Sequence, residues 1–357
     1  MNSKSREQDL GLRAVEAVYE TCMIDREWSL WEERGFSWWP YRLRQRVWAE
    51  PGFMDHGFKI YRLCARTDCL RDLEITDEIL QKVTRLARQP TVASLLIEPD
   101  ARRLCTFSSV YVHEENFDWL ARGIFGWIAV IQIVEAELIA ENLPGEVNAA
   151  ATPDYSGHPS SGRRLAPDDT LNLMRGVIKP FGERHRRWAE CEEYPGLVKM
   201  LNEDNCFASA RDSGLTAEFP FGSDTTLLQI VGDAEHPRVG SGVSIHLQLP
   251  LQYEEAKAAR LAMELNLAES RSGRTAFPFL GSWTAFELGE GYSPAFVSFL
   301  PSIFYAPGMA FNVTMNQVGR AKWVRDWFGA GESDVKLTVW RRLQQIMPFI
   351  ESSREDS

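Results

Sequence analysis

Between Trp119 and Leu138 the chain reads WLARGIFGWIAVIQIVEAEL, and on a helix its large apolar side chains point nearly all the way round. Trp119, Leu120, Ile124, Phe125, Trp127, Ile128, Val130, Ile131, Ile133 and Val134 leave too little polar surface for a helix that lies on one core. Such a helix must be covered on more than one side. The second half of the chain is the nearer candidate for the extra cover, and a second copy, in a homodimer through this helix, is the other. Length argues against a membrane. The most apolar stretch, Leu120 to Val134, has 15 residues and already holds Arg122 and Gln132, whereas a bilayer span takes about 20 apolar residues. Tyr292 to Phe311 is uncharged, but Pro294, Pro301 and Pro307 interrupt any helix there.

The chain has 357 residues, room for two cores at ~100–200 residues per domain. Pro144 to Ala166 divides it, reading PGEVNAAATPDYSGHPSSGRRLA. That small, polar composition has no apolar period and cannot repay the entropy of ordering, so it predicts a flexible tether, with a long ordered loop as the alternative. The expected organisation is a first domain over 1–143, a linker over 144–166, a second domain over 167–330, and a C-terminal helix and tail over 331–357.

In the first half Asp9 is placed to cap a helix with the stripe Leu12, Val15, Tyr19 and Cys22. Phe36 to Trp48 and Phe58 to Thr67 read as extended segments. Thr76 caps a second helix, with Asp77 and Glu78 in its first turn. Val92 to Ile97 and Arg103 to His113 form a hairpin, and a helix from about Glu115 to Glu141 closes the half. In the second half Pro167 opens a helix that runs to about Lys179. Leu215 to Phe221 and Leu227 to Val231 read as strands, and Val243 to Leu249 alternates apolar and polar residues without a fault. A helix from Tyr253 to about Glu269, strands Trp283 to Leu288 and Ala295 to Tyr305, and a helix from Met309 to Phe328 follow. Asp334 to Phe349 is an extra helix capped by Ser333. Each half reduces to α-β-β-β-α-β-β-α. The predicted class is therefore α+β: two tandem sandwich domains, each an antiparallel sheet with packed helices, plus a C-terminal helix.

That element order resembles the type III secretion chaperone fold and its YbjN-like bacterial relatives. The segments Phe36-Ser37-Trp38-Trp39-Pro40 and Arg46-Val47-Trp48-Ala49-Glu50-Pro51 look like a pattern found in uncharacterised proteins of that superfamily. The resemblance implies binding of an extended or partly folded segment of another protein, or dimerisation through the long helix. It brings no catalytic motif with it.

The residues themselves point the same way. Thirty-nine Lys and Arg face 50 Asp and Glu, a net charge of −11, which disfavours a nucleic-acid or anionic-lipid surface. Six cysteines without Cys-x-x-Cys spacing, and a polar stretch from Met1 to Asp9, fit a reduced cytoplasm. No two of the six histidines have helical ligand spacing, and no metal or cofactor is expected. The carboxylates at Glu114, Glu115 and Asp118 read as a helix start. Gly232-Asp233-Ala234-Glu235-His236-Pro237 holds an acid and a base, but its Gly, Asp and Pro spell a strand-joining loop. Gly240-Ser241-Gly242 precedes a strand and lacks the third glycine of a phosphate loop.

Arg42, Arg44 and Arg46 alternate, so on one strand they project from one face. Trp28, Trp31, Trp38, Trp39 and Trp48 crowd around them. Adjacent Trp38 and Trp39 on an extended backbone point to opposite faces, which sends one inward and leaves the other outside or under a neighbouring element. An exposed tryptophan beside arginines fits a recognition surface. Trp38, Trp39, Arg42, Arg44 and Arg46 are accordingly the candidate protein-binding residues, with no catalytic residue named. The expected function is non-enzymatic binding of a protein or peptide. The rivals are an enzyme with its site between the halves, and an immunity or sensor protein of a bacterial conflict system.

Overall fold

Asp9 accepts the Leu12 N–H at 3.1 Å and starts helix α1 (Leu10–Thr21). Five strands follow: β1 (Ser29–Trp31), β2 (Gly35–Trp38), β3 (Gln45–Ala49), β4 (Phe53–Asp55) and β5 (Phe58–Arg71). The segment from Phe36 to Trp48 is thus a hairpin and not one extended run. Pro40 carries no N–H for a ladder, and the chain turns between Trp39 and Arg44. Thr76 accepts the Ile79 N–H at 3.3 Å and begins α2 (Asp77–Ala87). The hairpin β6 (Ser94–Glu98) and β7 (Arg103–Val112) comes next, and then a π-helical stretch from Asp118 to Ile124 that runs into α3 (Phe125–Glu146). The short strand β8 (Thr152–Pro153) closes the half.

The second half has α4 (Glu193–Glu203), β9 (Phe207–Arg211), β10 (Gly214–Phe221), β11 (Asp224–His236), β12 (Gly240–Gln248), α5 (Glu255–Arg271), β13 (Ser282–Leu288), β14 (Gly291–Pro301) and α6 (Met309–Trp327). The computed structural model describes residues 9–55, 57–89, 91–146, 151–155, 157, 187–204, 206–271 and 277–327. The helices predicted at Pro167–Lys179 and Asp334–Phe349 lie outside the described residues, as does most of the linker. Within the linker, residues 151–155 are described, and there Thr152 and Pro153 pair with Arg71 and Leu70 of β5.

The fold is α+β. The first sheet runs β1-β2-β3-β5-β7-β6, with β4 and β8 both pairing with β5 off that path. The second runs β9-β10-β11-β12-β14-β13, which is the same path. Each is a four-strand antiparallel meander followed by a hairpin whose second strand pairs with the last meander strand. The repeat expected with three strands before the middle helix has four on that path, the additions being β1 and β9. Neither carries an alternating apolar pattern, since β9 reads Phe-Ala-Ser-Ala-Arg and is mostly exposed. Pro195 and Gly196 likewise disguise α4, although Tyr194, Leu197 and Leu201 keep its buried stripe.

The two halves meet through equivalent elements. Helix α2 packs on α5, α2 touches β13, and α5 touches β6, the reciprocal exchange found across an isologous interface. The helices run antiparallel: Arg260 meets Asp77 at 2.5 Å and Arg85 meets Glu255 at 2.8 Å. Buried bonds join the halves beneath them. The Thr284 hydroxyl donates to the Thr84 carbonyl, and the Ser94 hydroxyl donates to Asn266 Oδ1 at 3.0 Å. Ser109 and Phe279 exchange both backbone hydrogen bonds, at 3.1 and 2.8 Å.

Helix α3 finds its cover mainly at home, against β5, β7, α1 and β8. This corrects the expectation that the second half supplies it, and the apolar face reserved for a homodimer is largely covered within the chain. The continuous helix from Asp118 to Leu143 has 26 residues, long and apolar enough to cross a membrane, and 72% of its most apolar window is buried inside the protein. The 15-residue count stopped at Glu135, but that glutamate and Glu137 are both buried in the fold.

Candidate functional site

The structure separates the five candidate residues into two groups. Trp38 and Trp39 are 7% and 1% exposed, so neither is a surface anchor. Trp38 lies on the α3 side of the first sheet and donates its indole N–H to Gln45 Oε1 at 2.6 Å. Gln45 in turn bonds the Ala129 carbonyl and Gln132 Oε1 on α3. Trp39 has left the strand. Gly157 lies against its ring and the Arg44 guanidinium is 5.9 Å from the ring centroid.

Arg42 is not on the strand either. It sits in the turn before β3, where its backbone N–H and that of Leu43 each donate to Glu137 Oε1 at 2.5 Å, and its guanidinium donates to Glu137 Oε2 at 3.1 Å. Burial works to raise the Glu137 carboxyl, more strongly than these donors lower it, and the carboxyl ends above its ordinary value. Arg42 therefore ties the β2–β3 turn to α3. It is corrected from a binding residue to a structural one.

Arg44 and Arg46 are where the alternation places them, on the outer face of the sheet, each 49% exposed. Register adds two arginines that the local pattern did not select. Arg46 lies directly opposite Arg66 of β5, and Arg103 at the start of β7 completes the set. With Trp48, Asp68 and Asp154 these four arginines line a groove of about 450 Å³. The Arg46 guanidinium lies 5.0 Å from the Trp48 ring centroid, within cation–π range.

Like charges facing each other across strands repel, and carboxylates separate them: Asp68 in the groove lining and Glu32 and Glu98 beside it. Glu32 takes Arg44 at 3.0 Å and Arg46 at 2.7 Å. Arg66 donates to both oxygens of Glu98, at 2.9 and 2.7 Å, and to Asp68 at 2.8 Å. Arg103 reaches the other Asp68 oxygen at 2.8 Å. Burial works to raise the Glu32 carboxyl, but the Ser37 hydroxyl and the two arginines outweigh it and hold it below its ordinary value. Arg66 holds Glu98 low against a smaller opposing effect of burial. The groove is a lattice of guanidinium–carboxylate pairs, and those of Arg44 and Arg46, whose guanidiniums are half-exposed, contribute only ~0–1 kcal/mol each, while the bidentate Arg66–Glu98 pair is set deeper. A carboxylate from outside can take the place of one from the wall at little cost, and guanidiniums favour bidentate carboxylates.

Among the described residues no three His, Cys, Asp or Glu side chains converge as metal ligands. All six cysteines are free, and burial pushes the Cys22 and Cys105 thiols up to about 12, which keeps them protonated and poorly nucleophilic. Arg66 was legible in principle, because Arg62, Cys64, Arg66 and Asp68 alternate onto one face of β5. Nothing local says which strand lies beside it. No protein-family model, curated protein or solved structure matches the chain.

Proposed function

We propose that this chain is a non-enzymatic, chaperone-like binding protein that takes an acidic segment of another protein into the arginine groove of its first sheet. The observation that supports this is the convergence of Arg44, Arg46, Arg66 and Arg103 from three strands on one half-exposed groove with Trp48 in its wall. This reading draws on the resemblance of the sequence's element order to type III secretion chaperone-like and YbjN-like proteins. Six free cysteines agree with a cytoplasmic setting.

The test is fluorescence anisotropy with a labelled Glu/Asp-rich peptide against the wild type and Arg44→Ala/Arg46→Ala. The double variant should bind about tenfold more weakly, a loss of about 1.4 kcal/mol, with a shallower salt dependence. Its melting temperature should hardly move, because exposed pairs contribute little. Unchanged affinity in the folded variant, or equal binding of a Lys/Arg-rich peptide, would sink the proposal.

A further inference from the structure

The ladder between β3 and β5 ends where Gln45 faces Thr67. Further along, β7 still holds one edge of β5, with Leu104 facing Leu70, and the edge that β3 has left is taken by β8. There Pro153 faces Leu70 and Thr152 faces Arg71. Both β3 and β8 run antiparallel to β5, so β8 leads along one line toward the start of β3. A piece of the inter-half linker thus fills a place in the sheet that no meander strand reaches.

Its hold there is slight. The ladder has two residues, and just past it the Asp154 N–H reaches the Cys69 carbonyl at 3.3 Å, beyond the usual N–H···O range. The side-chain anchors are small or near the surface. Ala151 is buried, Arg71 donates to the Thr152 hydroxyl at 3.4 Å, and the Arg42 guanidinium lies 5.2 Å from the ring centroid of Tyr155, itself 43% exposed.

Asp154 nevertheless lines the groove beside Arg44, Arg46, Arg66 and Arg103. A groove suited to an acidic segment already holds one, supplied by an extended stretch of the same chain. Three other carboxylates meet these arginines, and the sheet fixes each of them. Asp68 is in β5, Glu98 is in β6, and Glu32 is in the tight β1–β2 turn, where its N–H bonds the Gly35 carbonyl at 2.8 Å. Of the four, only Asp154 rides on a segment that can leave without breaking a meander strand.

We propose that the acidic partner segment binds as an extended strand in the place of β8, with a carboxylate where Asp154 sits, and that β8 is a built-in competitor for the groove. This rests on the groove reading above. Main-chain bonds to β5 give such a segment affinity, and its acidic side chains meet the arginines, the division of labour seen in strand addition. Because β8 belongs to the same chain, its effective concentration is high, and it lowers the apparent affinity for the partner.

The test uses the full chain and the labelled Glu/Asp-rich peptide. Arg71 and Thr152 face each other and are both exposed, and facing residues of an antiparallel pair lie within disulfide reach. Arg71→Cys/Thr152→Cys, oxidised so that β8 is fixed, should bind the peptide at least about tenfold more weakly than the same protein reduced. Asp154→Ala should bind it about threefold more tightly than the wild type. In the wild type, saturating peptide should speed hydrogen exchange at the Asp154 amide while β5 stays protected. Equal affinity of the oxidised and reduced forms, no gain in Asp154→Ala, or unchanged or slower exchange at Asp154 each overturns the displacement of β8 and leaves the groove reading standing. A wild type that binds no acidic peptide overturns both.

Discussion

Arg320 and Glu269 form an ion pair at 2.6 Å with both side chains only 1% exposed. The pair is the centre of a larger arrangement. Glu269 also accepts the Trp283 indole N–H at 2.8 Å, and Arg320 donates to Gln317 and to the Pro278 carbonyl. From the first half, Arg62 reaches the Ser270 carbonyl at 2.9 Å and the Glu269 carbonyl at 3.5 Å. It places a cation on the last carbonyls of α5, where the helix dipole favours one.

Removing one partner of a buried ion pair strands the other. Glu269→Ala should cost ~3–5 kcal/mol, read as a shift of the urea midpoint. Replacing Glu269 and Arg320 together by Leu and Met should recover most of it. A double variant as unstable as the single one would show that packing around the pair, and not its charge, is at stake.

Arg42 and Arg44 are two residues apart and should behave differently. Arg42→Ala takes a charged donor from a buried carboxylate and should cost ~1–3 kcal/mol. Arg44→Ala removes a half-exposed pair and should stay within ~0.5 kcal/mol of the wild type. Thermal melts of the two variants side by side decide this, and equal losses would contradict the placement of Arg42.

Stability should depend on pH through Glu135, whose carboxyl is pushed from an ordinary 4.5 to about 8 by burial. Arg238 and Thr91 face it, and together they lower the carboxyl by less than burial raises it. Between these values the folded chain holds a proton that the unfolded chain has released. This group's contribution is therefore fully present below about 4.5 and is lost as pH rises toward 8. The loss is of order 3–5 kcal/mol, at about 1.4 kcal/mol per pH unit. Glu135→Gln should remove that slope, giving a variant more stable than wild type at pH 8.5 and no more stable at pH 5. Parallel pH profiles for the two proteins would refute the assignment.

Asn266 should couple the halves. It accepts the Trp283 N–H at 2.7 Å and the Ser94 hydroxyl at 3.0 Å, and donates to the Trp283 carbonyl at 2.9 Å. Asn266→Ala leaves these groups buried without partners, at ~1–3 kcal/mol each. Hydrogen exchange should speed up in β6 as well as β13. Acceleration confined to β13 would mean that the halves unfold independently.

Much of the architecture was legible because its signals are local. A cap such as Asp9 or Thr76 acts on the next few N–H groups. The alternation from Val243 to Leu249 reports one buried face of one strand, and the same face is buried in the structure. Signals failed where composition hid the pattern, as at Pro195 in α4, or where a proline broke an extended run, as at Pro40. The candidate site was half legible. The spacing of Arg44 and Arg46 survives, while both tryptophans turn out to be core.

The capped helix starts, the alternating strands such as Val243 to Leu249 and the apolar character of α3 follow from the sequence alone, since periodicity and capping act over a few residues. Tertiary structure alone decided which strands lie together and what a given side chain meets. Arg42 serves the fold because Glu137, 95 positions away, receives it. Arg66 joins the groove because register sets it against Arg46. Glu135 stays neutral because the fold around it excludes water. Each of these depends on contacts between distant segments, whose partners no local pattern specifies and whose energies appear only once the backbone is closed.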